Sequence, residues 1–196
     1  PAGSEETAAL VEKAGIPKGK PYCGIALRPW KYADPDMEKV IASVADFVRR
    51  KYQIEVLFIP MQESRDLPIA QKTLSYMKET GYLLTNSPTP SQLLGVVGGA
   101  EFILGMRLHT LIYAARMGTP VIGLTYDPKV EATMRYIGQE FTESAKQVNP
   151  LTLQRYIDEI MKNHDRLCEE LKAAGAQSGA KAAENTELAL ALLERA

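Results

Sequence analysis

The stretch EFILGMRLHTLIYAARMGTPVIGLTY, residues 101–126, decides the fold. Glu101 to Leu104 is a short apolar run that reads as a strand, and Leu108 to Met117 repeats its apolar residues at helical spacing. Gly118 closes that helix, because glycine accepts the left-handed turn on which helices end. Pro120 to Tyr126 is a second apolar run rich in branched side chains. Strand, helix and strand in such quick succession, with both strands apolar throughout, form a crossover between parallel strands covered on both faces.

The same alternation extends outward. Upstream, Tyr22–Arg28, Ile54–Pro60 and Tyr82–Thr85 read as strands. Between them lie helices capped by Asp34, with Pro35 at the first helical position, and by Asp66. The first carries Met37, Val40, Ile41, Val44, Val48 and Tyr52 on one stripe, and the second Ala70, Leu74 and Met77. Thr89-Pro90 opens a third helix, which ends at Gly98-Gly99. Downstream, Lys129 to Ile137 is helical, and after Asn149-Pro150 one long helix runs to about Ala174. Five strand–helix alternations predict the α/β class, a Rossmann-like parallel sheet with helices on both faces, whose ligand lies beyond the carboxyl ends of the strands.

Three segments are expected: an N-terminal helix and linker over 1–20, the Rossmann-like unit over 21–174, and a helical extension over 175–196. The first contains a helix, Ser4 to Ala14, with Ser4 as its cap. The last contains an alanine-rich joint and a helix from Thr186 to Glu194. Its Leu188 to Leu193 stretch is expected to pack on a domain outside this chain. The start at Pro1, without methionine, suggests a piece of a longer protein.

Composition narrows the function. The 196 residues carry 23 Lys+Arg against 24 Asp+Glu, a net charge of −1. That balance argues against a general nucleic-acid binder, which needs a basic surplus. No apolar run reaches the ~18 residues of a membrane span. Two cysteines, Cys23 and Cys168, and two histidines, His109 and His164, do not fit a zinc ribbon or a multi-histidine centre. No metal and no cofactor are expected, and the composition suits a reducing compartment.

Against that neutral background, cations gather at three strand ends. Arg107 and His109 sit where a strand passes into a helix N-terminus, a place that favours anions. A guanidinium forks onto a carboxylate or phosphate, and an imidazole adds a donor or a titratable proton. Alternatively, Arg107 pairs with a nearby acid and His109 caps its own helix. Lys129 follows the next strand, beside Tyr126 and Asp127, where Asp127 is either a base or orienting group, or the cap of the next helix. Arg28, Trp30 and Lys31 follow the first strand. Gln62 and Asp66, after the second, can hydrogen-bond a ligand, although Asp66 serves more simply as a cap. Convergence of these loops points to a small polyanion. His164 falls on an apolar stripe as a packed edge histidine, and Gly98-Gly99 lacks the spacing of a phosphate loop.

Two segments resemble a known family. Gly105-Met-Arg-Leu-His-Thr-Leu-Ile-Tyr-Ala-Ala115 and Gly118-Thr-Pro-Val-Ile-Gly-Leu-Thr-Tyr-Asp-Pro-Lys-Val130 are similar to the signature of the polysaccharide pyruvyl transferases, most of all the bacterial cell-wall, CsaB-like branch. Gly24-Ile-Ala-Leu-Arg-Pro-Trp30 and Phe58-Ile-Pro-Met-Gln62 look like the first two strands of that branch's C-terminal domain. The resemblance covers roughly Tyr22 to Ile137, and Thr110 stands where the family more usually has alanine. It implies the C-terminal half of a two-domain, GT-B-like enzyme that moves the pyruvyl group of phosphoenolpyruvate onto a sugar as a ketal, releasing phosphate. It further implies an N-acetylmannosamine acceptor in a lipid-linked saccharide, a role in cell-wall biogenesis and surface-layer anchoring, and a cytoplasmic setting at the inner face of the membrane. Peripheral membrane association would come through the other domain. By motif position, Arg107, His109 and Lys129 would hold phosphoenolpyruvate. A fragment lacking the acceptor-binding half is expected to be inactive alone. The competing expectations are a GT-B sugar-nucleotide glycosyltransferase or epimerase, which calls for an acid such as Glu131 or Glu140 on the ribose, and a non-catalytic anion-binding module.

Overall fold

The computed structural model describes residues 5–85 and 88–175. Its strands are β1 (Tyr22–Ala26), β2 (Glu55–Phe58), β3 (Tyr82–Leu83), β4 (Ile103–Gly105), β5 (Val121–Thr125) and β6 (Thr142–Ser144). They form a six-stranded sheet in the order β3-β2-β1-β4-β5-β6, parallel at every pairing. Register sets Ala26 opposite Gly105 and Gly105 opposite Gly123, so β1, β4 and β5 lie level near their carboxyl ends. The chain first builds outward through β2 and β3. It then returns to lay β4 beside β1 and builds the other way. Loops after β1 and β4 therefore diverge to opposite faces, opening a crevice between them.

The helices are α1 (Glu5–Lys13), α2 (Met37–Tyr52), α3 (Glu63–Tyr76), α4 (Pro90–Gly98), α5 (Leu108–Met117), α6 (Pro128–Tyr136) and α7 (Pro150–Lys162), followed by a helical stretch over 164–175. Alternate strand residues serve opposite faces. Cys23, Ile25, Val56, Phe58, Leu104, Ile122 and Leu124 pack with residues of α2, α3 and α7. Leu57, Ile59, Ile103 and Val121 pack with residues of α1, α4, α5 and α6. This double coverage is why the strands are apolar runs and do not alternate with polar residues. Gly24 shows how tight the fit is, since a Cβ there would lie 2.5 Å from Ile103 Cδ1 and 2.8 Å from Ile59 Cδ1. Burial also pushes the Cys23 thiol up to about 12.

The Rossmann-like sheet is as expected, with several local differences. A sixth strand, β6, joins the edge through Gly123 N–H to Phe141 O at 2.9 Å and Ala145 N–H to Thr125 O at 2.9 Å. Helix α2 starts at Met37, two or three residues later than its expected cap and first position. Asp34 instead accepts the N–H groups of Asp36 at 2.9 Å and Val148 at 3.0 Å, tying this loop to the segment before α7. Helix α3 starts earlier, at Glu63. Asp66 lies inside its first turn and accepts the Gln62 N–H from there at 2.9 Å. The expected long C-terminal helix breaks at Asn163, whose side chain donates to Glu159 O at 3.0 Å. His164 packs at that break, with Nε2 2.9 Å from Glu101 O. The Ser4 cap and the helix over Thr186–Glu194 lie outside the described residues.

Candidate active site

The candidate cations and their neighbours lie on the loops that follow β1, β2, β4 and β5 or in the first turns of the helices those loops open. Arg28, two residues past the end of β1, donates through Nη1 to the Tyr126 hydroxyl at 2.7 Å. Its guanidinium carbon lies 4.6 Å from the Tyr126 ring centroid, and Trp30 packs on the same ring at 5.8 Å between centroids. Arg28 Nε is buried without a partner among the described residues. Lys31 is exposed and rests its ammonium 4.5 Å from the Tyr32 ring centroid.

A second group forms around Arg107, the N-cap of α5. Its Nε donates to Asp66 Oδ2 at 2.9 Å and its Nη2 to Asp66 Oδ1, a side-on, bidentate ion pair. Gln62 Oε1 stands 3.5 Å from Nη2. Asp66 is fully buried, so its charge is neutralised by this partner rather than by water. Nη1 has no partner among the described residues, so its two N–H groups stay uncommitted. Sequence reading leaves Arg107 open between an acid and an anion; one edge of its fork takes the acid and one nitrogen remains. The sequence did hold a clue to the partner. Asp66 shares a buried stripe with Ile69, Ala70 and Thr73, at i, i+3, i+4 and i+7, and a carboxylate on such a stripe needs a cation.

His109 and Lys129 are each the second residue of their helices, α5 and α6. Both are exposed, and neither side chain has a hydrogen bond or ion pair among the described residues. No side chain caps α5, and the N–H groups of Leu108 and His109 have no acceptor among the described residues, whereas that of Thr110 donates to Arg107 O at 2.9 Å. Asp127 does cap α6, with Oδ1 accepting the Lys129 N–H at 2.9 Å. Thr110 is buried, and its hydroxyl lacks a partner among the described residues.

Two groups are thus drawn together, Arg28–Trp30–Tyr126 and Gln62–Asp66–Arg107, whereas no hydrogen bond or ion pair among the described residues joins the side chains of Lys31, His109 and Lys129 to either. Both groups span the β1–β4 crevice: one joins the loops of β1 and β5, the other those of β2 and β4. At ~4.8 Å per strand spacing, each covers about 10 Å.

A doubly wound parallel sheet with cation-bearing loops at its carboxyl edge defines a Rossmann-like domain of the kind found in GT-B enzymes. The chain belongs to the polysaccharide pyruvyl transferase family, whose model matches residues 9–128, more than half of its length. The match takes in Arg107 and His109 and stops one residue before Lys129. No curated protein matches the chain. Among solved structures, a glycosyltransferase from Rickettsia africae is similar with a TM-score of 0.65 at 16% identity, over 98% of this chain and 53% of that one. ADP-heptose lipopolysaccharide heptosyltransferase II from E. coli gives 0.64 at 11% identity, over 83% and 53%. UDP-GlcNAc 2-epimerase from Neisseria meningitidis, bound to UDP-GlcNAc, gives 0.62 at 11%, over 92% and 48%. At such identities the likeness is one of fold, and the chain spans about half the length of these structures.

Proposed function

We propose that this chain is the phosphoenolpyruvate-binding, C-terminal half of a pyruvyl ketal transferase of the CsaB-like branch. The acceptor is then N-acetylmannosamine in a lipid-linked cell-wall saccharide, and the setting is the cytoplasmic face of the membrane. No helix among the described residues is long and apolar enough to cross a membrane. The observation that carries the reading is the placement of Arg28 and Arg107 on the loops after β1 and β4, and of His109 and Lys129 in the first turns of the helices after β4 and β5, three strands adjacent in the sheet. Phosphoenolpyruvate bears a carboxylate and a phosphate on a three-carbon frame, so cations drawn from several neighbouring strand ends are its natural receptor.

The reaction adds one sugar hydroxyl to C2 of phosphoenolpyruvate while C3 takes a proton and becomes a methyl group. A second hydroxyl of the same sugar then forms the other C2–O bond. The bond from C2 to the phosphate oxygen breaks, and phosphate leaves with its electron pair. Arg107 Nη1, the open α5 N–H groups and the Lys129 ammonium hold the anionic groups, stabilising charge that grows on the leaving phosphate. His109, whose side chain has no hydrogen bond or ion pair among the described residues, either binds that phosphate or delivers the proton to C3. Gln62, Arg28, Trp30, Lys31, Tyr126 and Asp127 line or brace the mouth.

Calorimetric titration tests this reading: phosphoenolpyruvate is expected to bind, uridine diphosphate to give no heat, and Lys129→Ala to weaken binding at least about tenfold. Binding of uridine diphosphate in place of phosphoenolpyruvate would favour the sugar-nucleotide reading instead. With the complete enzyme, phosphate release should require both phosphoenolpyruvate and an acceptor saccharide. Phosphoenolpyruvate bound without any transfer would leave an anion-binding module.

A further inference from the structure

A trough between α6 and the edge strand β6 leads away from the Lys129 loop. Its first part, of about 210 Å³, lies at the carboxyl ends of β5 and β6 and is lined by Tyr126, Asp127, Ser144 and Lys146, among others. Its second part, of about 400 Å³, runs along α6 past Met134 and Arg135 to Gln139 and Thr142. Glu131 lines both parts. Together they fall in the size range of small-molecule sites.

Tyr126, Asp127 and Ser144 are engaged in internal hydrogen bonds, but the charged groups farther along the lining are not. Glu131 and Arg135 stand at i and i+4 in the order that favours pairing, yet no ion pair joins them. The side chains of Glu131, Arg135, Glu140 and Lys146 have no ion pair or hydrogen bond among the described residues. Gln139 is 3% exposed, and its Oε1 has no hydrogen-bond donor; its Nε2 reaches only the neighbouring Gly138 O, at 3.4 Å. An acceptor buried in this way is destabilising until a donor meets it. Gly138, at φ +69°, has open space where a Cβ would stand.

Both signs of charge line the trough, so neither a simple anion nor a simple cation matches it. Acceptors (Glu131, Glu140, Gln139 Oε1) and donors (Arg135, Lys146 and the hydroxyls of Thr142 and Ser144) surround the apolar Met134. A sugar ring offers the complement, hydroxyls that both donate and accept around faces of C–H groups. We infer that the α6–β6 trough is a saccharide subsite, holding units of the polysaccharide next to the one that is pyruvylated. The assignment of the ligand class rests on the family and on the proposed function, and the trough's opening beside the Lys129 loop gives the chain its direction.

The test titrates the full 196-residue chain, labelled for NMR, with a neutral disaccharide of N-acetylhexosamines, without phosphoenolpyruvate. Shifts are expected at residues 131–146, and Gln139→Leu should weaken the disaccharide roughly fivefold to tenfold, about one hydrogen bond's worth. The same variant should melt no lower than the parent, since it removes a buried oxygen without a donor, and should bind phosphoenolpyruvate unchanged. A residue with a merely structural role would lower the melting temperature instead. The inference is overturned if the disaccharide causes no shifts at tens of millimolar, shifts residues elsewhere, or binds Gln139→Leu as well as the parent. Shifts in the trough from a chain that ignores phosphoenolpyruvate would retain the subsite and remove the proposed donor.

Discussion

Replacing Asp66 with alanine removes the buried half of the ion pair that holds Arg107. Breaking a buried pair by deleting one partner costs about 3–5 kcal/mol, because the remaining charge is stranded. Here the Arg107 side chain is 16% exposed, so it can turn partly to water, and the lower end applies. Loss of the bond from the Gln62 N–H adds about 1 kcal/mol, giving roughly 4 kcal/mol in all. For a chain of this length about 2–4 °C is lost per kcal/mol, so the melting temperature should fall by roughly 8–16 °C. Asp66→Asn keeps the shape and one acceptor and should lose about half as much. The double change Asp66→Leu with Arg107→Met should recover most of the stability, since apolar replacement of both partners is close to neutral. Thermal unfolding followed by circular dichroism reads all three variants. A single Asp66→Ala variant melting within about 2 °C of the parent would refute the claim that this pair is a structural tie.

Two further outcomes follow from ionisable groups away from the crevice. Cys23 is 1% exposed with its thiol pushed up to about 12, so iodoacetamide at neutral pH should alkylate it only after unfolding. Cys168, half-buried and raised less far, should react slowly in the folded chain; peptide mass mapping separates the two. Asp158 receives the Tyr52 hydroxyl at 2.6 Å and the Lys51 ammonium at 2.7 Å, joining α7 to α2. Burial opposes its ionisation, but these bonds outweigh burial and hold it below its ordinary 3.8. A depressed carboxylate contributes stability above its unfolded value and loses it as pH falls through the folded one. Asp158→Asn should therefore flatten part of the stability decline below about pH 4, as urea titrations at several pH values would register.

The sheet was legible because double burial leaves a plain mark: β1, β2, β4 and β5 are short apolar runs separated by helical stripes and glycine stops. Strand β6 left no such mark. It is Thr-Glu-Ser at the sheet's edge, held by backbone bonds to β5, and its identity depends on a neighbour rather than on its own side chains. The start of α2 departs from its local signal because Asp34-Pro35 has the chemistry of a helix opening, whereas the Asp34 carboxylate is claimed by Val148, distant in sequence. In the site, the positions of Arg28, Arg107, His109 and Lys129 at strand-to-helix crossings could be read from the succession of strands and helices. The partner of Arg107 could not, because a pairing between positions 66 and 107 is tertiary and only the apolar stripe around Asp66 hinted at it.

The two bridges over the crevice bear on what can enter it. Arg28 with Tyr126 and Arg107 with Asp66 fasten loops to one another across the same gap, so the entrance has a fixed gauge. Under the proposed function, a donor bulkier than phosphoenolpyruvate would not be admitted by one loop swinging aside; it would first have to undo one of these fastenings. On that reading, substrate choice is filtered by the stiffness of the rim, and broadening it by design would begin with those fastenings rather than with the cations proposed to hold the anion.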